Sequence, residues 1–151
     1  MARRAAGGRE PQVRALPAWL GNPRFWLAAY VVWLVTLWVL SSGSTTVPNA
    51  PQIPFMDKVA HFGYFFGGGG LLSAALFSGN PRISKKRLVL MTAIAAALIG
   101  CLDEYHQTYT PGRSGNDPWD WLADVLGGTT GAFVFHRLRH RLPIPESRKT
   151  A

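Results

Sequence analysis

Apolar residues in this chain come in four runs, with the polar residues pushed to their ends. Phe25 to Leu40 carries no charge, and extended to Ser42 it approaches the length that crosses a bilayer core, about 20 residues. A second run follows from Asp57 to Phe77, a third from Leu88 to Tyr105 and a fourth from Trp119 to Phe135. The third has the shortest uncharged part and reads as the weakest span. The breaks between runs hold residues that cannot continue a helix: Pro48, Pro51 and Pro54, then Ser78 to Arg87 with Pro81, then Pro111-Gly112 and Pro118. The pattern predicts an all-α integral membrane protein, a bundle of four transmembrane helices at about 25–42, 57–77, 87–105 and 119–135.

Glycines inside the runs support this reading. They weaken a helix in water, but in lipid they let backbones approach. Gly63 and Gly67, and Gly127 and Gly131, each form a small-xxx-small pair and are expected to be helix-packing positions.

Charge sets the topology. All Lys and Arg residues except Lys58 and Arg113 lie in the N-terminal segment, the second connection or the tail. By the positive-inside rule both termini are cytoplasmic, and the first and third connections face outward. Omitting any one span would split the basic segments between the two sides. The expected localisation is therefore the inner (cytoplasmic) membrane, multi-pass. Domain organisation follows: a basic, disordered lead-in over 1–24, a membrane domain over 25–136 and a basic tail over 137–151. The lead-in lacks the short basic region and A-x-A site of a cleaved signal, so the first span reads as a retained anchor.

The net charge of +8 does not point to nucleic acid, because no basic face interleaves with polar helix positions. The single Cys101 excludes an internal disulfide framework and a multi-cysteine zinc site, and its apolar run makes it a packing residue. No metal or cofactor is expected. The expected partners are the lipid bilayer and a lipid-linked or amphipathic ligand.

Apart from Glu10 and Glu146, every carboxylate falls at the outward end: Asp57, Asp103, Glu104, Asp117, Asp120 and Asp124. Asp57 and His61 share a helix face, as do Asp103 and Gln107, and Asp120 and Asp124, because each pair is four residues apart. Ionisable groups at such depth are costly unless paired or wetted, so they count as candidate functional residues. Arg113 is the natural counter-charge, since a guanidinium can bind two carboxylates or a phosphate. A structural lid would pair Arg113 with Asp120 or Asp124, and Lys58 with Asp103 or Glu104. Three other readings are open: carboxylates with His61 as acid/base groups, a divalent-cation site, and a pocket in which Arg113 and Lys58 hold an anionic headgroup. No nucleophile elbow, HExxH or phosphate loop is present.

Three groups of residues, in order over about 55–133, resemble the VanZ-like family of small bacterial membrane proteins. They are Asp57, Lys58, His61 and Tyr64; then Asp103, Glu104, Gln107, Tyr109 and Pro111-Gly112-Arg113; then Asp120-Trp121-Leu122-Ala123-Asp124 with Gly127 and Gly131. The resemblance implies that Asp57, Lys58, His61, Asp103, Glu104, Gln107, Arg113, Asp120 and Asp124 form the functional cluster. The family's namesake is linked to resistance to a lipid-tailed glycopeptide. The expected function is thus action on lipid-linked or lipophilic glycopeptide-type ligands of the cell envelope, with a possible role in antibiotic tolerance. The alternatives are a membrane enzyme acting on a lipid-linked intermediate, and an assembly partner of another membrane protein.

Overall fold

The computed structural model describes residues 16–43, 54–113 and 115–143. Four long helices carry the fold: α1 (Pro23–Ser41), α2 (Met56–Gly79), α3 (Lys85–Gln107) and α4 (Pro118–Leu138). With 19 to 24 residues each, they are roughly 28–36 Å long, enough to cross a bilayer core. Three of them, α1, α2 and α3, are long and apolar enough to be candidate membrane spans. Helix α4 is long enough but less apolar, because Asp120, Asp124 and a Gly-Gly-Thr-Thr-Gly stretch dilute its aliphatic content. The weakest span by hydropathy is therefore the fourth. Over its most apolar 18 residues the third has the highest mean hydropathy of the three, 1.7, although charged residues occupy both its ends.

Local sequence explains where the helices begin. Asn22 precedes Pro23 and accepts the Arg24 N–H at 3.0 Å, and Ser84 accepts the Arg87 N–H at 3.3 Å. Asp117 precedes Pro118 and accepts the Trp119 N–H at 2.8 Å. Helix α2 has no side-chain cap; its N-cap residue, Phe55, takes a left-handed backbone conformation with φ 62°. Ala18–Gly21 form a 3-10 turn, so the end of the segment expected to lack structure is ordered onto α1, with the Trp26 indole donating to Leu20 O at 2.7 Å. The remainder of that segment, and the tail beyond 143, lie outside the described residues.

Packing is inverted relative to a protein in water. Leu98, Leu102, Val32, Val39 and Val59 are each more than 60% exposed, whereas Ser73, Thr92, Glu104 and Asp124 are each less than 5% exposed. Aliphatic side chains facing out and polar ones facing in suit lipid as the solvent.

The tightest seam runs between α2 and α4. A Cβ at Gly127 would collide with the Phe62 carbonyl, one at Gly131 with the Phe66 carbonyl, and one at Gly69 with the Gly128 backbone. Only glycine permits this approach. On α2 the expected pair was Gly63 and Gly67, but among the described residues neither has anything within 4 Å of its Cβ position. The packed glycines there are Gly69, and Gly68 under the Trp33 ring. The face of α2 toward its neighbours is rotated from the one the small-xxx-small spacing indicated. Trp33 also ties α1 to α2: its indole donates to Tyr64 O at 3.1 Å, and the Tyr64 hydroxyl donates to Trp33 O at 2.9 Å. The sequence places Cys101 in packing, but it is a free, exposed thiol.

Candidate functional site

The C-terminal ends of α1 and α3 and the N-terminal ends of α2 and α4 meet at one end of the bundle. Two side-chain networks form there, one around each cation.

The first centres on Arg113. Thr110-Pro111-Gly112-Arg113 is a β-turn closed by the Arg113 N–H to Thr110 O at 3.2 Å, with Gly112 at φ 82°. Proline at the second position and a left-handed glycine at the third are what a type II turn requires. The turn sends the guanidinium to Leu40 O at 3.1 Å, Gly43 O at 3.2 Å and Gln107 Oε1 at 3.1 Å. Helix ends leave carbonyls without partners, and a cation there also offsets the helix dipole. Gln107 in turn donates to Asp103 Oδ2 at 2.8 Å, the Ser41 hydroxyl donates to Asp103 Oδ1, and the Thr110 hydroxyl donates to Ser41 O at 3.1 Å. Arg113 is thus no partner of Asp120 or Asp124. Its turn holds it over the end of α1, and the α4 carboxylates belong to the other network.

The second network centres on Lys58. Its ammonium lies 2.7 Å from Asp57, 2.6 Å from Asp117 and 3.1 Å from Asp120. It does not pair with Asp103 or Glu104, because Asp103 is engaged by Ser41 and Gln107, and Glu104 accepts the Asp117 N–H at 2.7 Å. The Lys58 bond, followed by the Trp119 N–H, holds the Asp117 carboxyl below the usual carboxylate range. One turn along α2, His61 Nδ1 is 3.0 Å from Asp124 Oδ1, and His61 Nε2 is 4.0 Å from Asp120 Oδ2. Asp124 is wholly buried, and the space it occupies is opened by Gly100 of α3, where a Cβ would stand 2.7 Å from Asp124 Oδ2.

Between the networks lies a cleft of about 730 Å³. Leu37, Val39, Leu40, Met56, Ala60 and Phe65 supply apolar walls, and Asp57, His61, Tyr64, Asp103, Gln107, Arg113 and Asp120 supply polar groups. Glu104 and Asp124 lie behind this lining, and Lys58 at its edge bridges Asp57 and Asp120.

All nine candidate residues therefore lie at one end of the bundle. Sequence reasoning left Ser41, Thr110 and Gly100 out of the site, and named Asp117 only as an outward carboxylate. Asp117 carried a signal, since an Asp directly before Pro at a helix start is a cap and its second oxygen is free for another partner. Ser41 carried none, because its role depends on how α1 sits beside α3. His106 stacks on Trp38 with ring centroids 3.8 Å apart and is 3.5 Å from the Ser42 hydroxyl, outside both networks.

A protein-family model described as VanZ/LLP1 matches residues 20–139, which include all four helices and both networks. The chain belongs to the VanZ/LLP1 family. No curated protein and no solved structure matches it.

Proposed function

We propose that this VanZ/LLP1-family protein binds an amphipathic, lipid-linked or lipophilic ligand of the cell envelope in the cleft at its polar end. The cleft's composition carries this reading. Its wall of α1 and α2 side chains is apolar and continues into the bundle's exposed aliphatic surface, while its floor holds carboxylates, an imidazole and an amide. An acyl tail would lie along the wall and a polar head on the floor. Arg113 is committed to carbonyls and Lys58 to three carboxylates, so the floor favours hydroxyl- or amine-bearing heads over an anionic group. The Lys/Arg distribution supports an inner-membrane position with both termini cytoplasmic and the cleft facing outward. A protein that sequesters such ligands there would alter tolerance to lipid-tailed antibiotics.

The test is direct binding by the purified protein in phosphatidylglycerol/phosphatidylethanolamine nanodiscs. The probes are a lipid-tailed glycopeptide and the same glycopeptide without its acyl tail. The tailed compound should bind more tightly, and Ala60→Trp, which fills the cleft from its wall, should weaken it about tenfold or more without lowering the unfolding temperature. Equal binding of the two compounds, or full binding by Ala60→Trp, would remove the basis for the reading.

The His61–Asp124 pair favours one second reading, an enzyme. A buried carboxylate holding Nδ1 presents Nε2 as a general base toward the cleft. That reading requires turnover of a lipid-linked intermediate, abolished by His61→Gln.

A further inference from the structure

Among the described residues, two sets of three ligand-type residues at the polar end have their donor atoms within 4.8 Å of one another: Asp57, Asp117 and Asp120, and His61, Glu104 and Asp120. They differ in what fills them. The first already surrounds a cation, because the Lys58 ammonium is within 3.1 Å of all three carboxylates. The second surrounds none. We infer that His61, Glu104 and Asp120 bind a divalent transition-metal ion, of the Zn2+ or Mn2+ class.

Four observations carry this beyond a cluster of acidic residues. First, Glu104 is only 4% exposed, its Oε2 accepts the Asp117 N–H, and its Oε1 is buried with no hydrogen-bond partner among the described residues. A buried carboxylate oxygen with no donor is costly unless something positive meets it. Second, the tautomer of His61 is set. In the neutral ring, Asp124 Oδ1 at 3.0 Å, accepting as a carboxylate, places the proton on Nδ1 and leaves the Nε2 lone pair free. A carboxylate behind a ligating imidazole is the usual outer-shell arrangement of metal sites. Third, Nε2 is 4.0 Å from Asp120 Oδ2, too far for a hydrogen bond and near enough for both to ligate one ion after a small side-chain adjustment. Fourth, charge is out of balance. Asp103, Glu104, Asp120 and Asp124 are each 7% exposed or less, while Lys58 is shared among three carboxylates and Arg113 bonds to carbonyl oxygens. A dication corrects that imbalance.

The donor set selects the ion. One imidazole nitrogen with carboxylate oxygens suits Zn2+ or Mn2+, whereas Mg2+ prefers oxygen and keeps its waters. Three protein ligands leave coordination positions open, and His61 and Asp120 line the cleft, so a water or a ligand oxygen can complete the shell. The inference does not depend on the amphipathic-ligand reading, and its test contains no such ligand.

The experiment is Zn2+ titration of the full chain, stripped with chelator and held in detergent, in a Cys101→Ser background that removes the thiol as a competing donor. One equivalent should bind in the presence of millimolar Mg2+. His61→Gln, Glu104→Gln and Asp120→Asn should each weaken it about 100-fold, and Asp124→Asn, which leaves the three ligands in place, about 10–100-fold. The wild-type protein supplies a readout that needs no variant: pulsed EPR of the Mn2+-loaded form should show coupling to one imidazole nitrogen. No saturable Zn2+ binding, binding within threefold of wild type in Glu104→Gln and Asp120→Asn, or no nitrogen coupling on Mn2+ would each overturn the site.

Discussion

Arg113 and Lys58 sit at the same end of the bundle, yet they do opposite kinds of work. Around Arg113 every exchange is complete. The guanidinium closes the end of α1 through Leu40 O and Gly43 O, Gln107 relays it to Asp103, and Asp103 is finished by Ser41. Around Lys58 the exchange is incomplete. One ammonium serves Asp57, Asp117 and Asp120, while Glu104 Oε1 and Asp124 Oδ2 are buried with no hydrogen-bond partner among the described residues. A satisfied polar network fixes a fold, whereas buried groups left unsatisfied cost stability and persist where they serve a ligand. On the function proposed above, the Arg113 side serves as the scaffold of the polar end and the Lys58 side as the working surface that meets the ligand.

The comparison can be broken most sharply at Arg113. Arg113→Ala strips three acceptors of their donor and should lower the unfolding free energy in detergent by about 2–3 kcal/mol. Arg113→Lys should recover little of this, since a point-charge ammonium cannot span acceptors held by a planar fork. A variant as stable as wild type would mean that α1 does not rely on this contact. The working side should respond in the other direction. In chelator-stripped protein, Glu104→Gln keeps an oxygen for the Asp117 N–H and removes an incompletely compensated charge, so stability should be unchanged or rise by about 0.5–1 kcal/mol. If Glu104→Gln instead falls as far as Arg113→Ala, both networks are scaffold and the division fails.

Most of the architecture could be read from the chain because hydropathy and punctuation report on one helix at a time. The four apolar runs and the proline-bearing breaks between them, Pro111-Gly112 included, are local signals that match the helices and the turns between them. What was not legible depends on how helices rotate about their axes. Gly63 and Gly67 have the right spacing, but Gly68 and Gly69 meet the neighbours, because α2 turns toward Trp33 and α4. The pairing of charges failed for the same reason. Lys58 faces α4 while Asp103 faces α1, so a match by charge alone puts them together and the helix orientations keep them apart. The weakness assigned to the third span came from counting uncharged residues, whereas the aliphatic content of α3 outweighs its polar end.

The smallest expected effect isolates Lys58 from the buried carboxylates behind it. Asp117 lies before α4, outside the helical span, and the bond to Lys58 with the Trp119 N–H lowers its pKa from the ordinary 3.8. A carboxylate with a depressed folded-state pKa contributes its stability above the unfolded value and loses it as pH falls through the folded one. The contribution of Asp117 should therefore be intact at neutral pH and decline only below about pH 4. Asp117→Asn can still accept the Trp119 N–H but gives Lys58 no charge. It should flatten the acid limb of the stability–pH curve and cost less than about 1 kcal/mol at pH 7, the cost expected of a partly exposed ion pair. Unfolding of both proteins in detergent between pH 3 and pH 7 measures this. Parallel curves would show that Lys58 draws its hold on α4 from Asp120 alone, and the working surface would then shrink to the buried groups around His61.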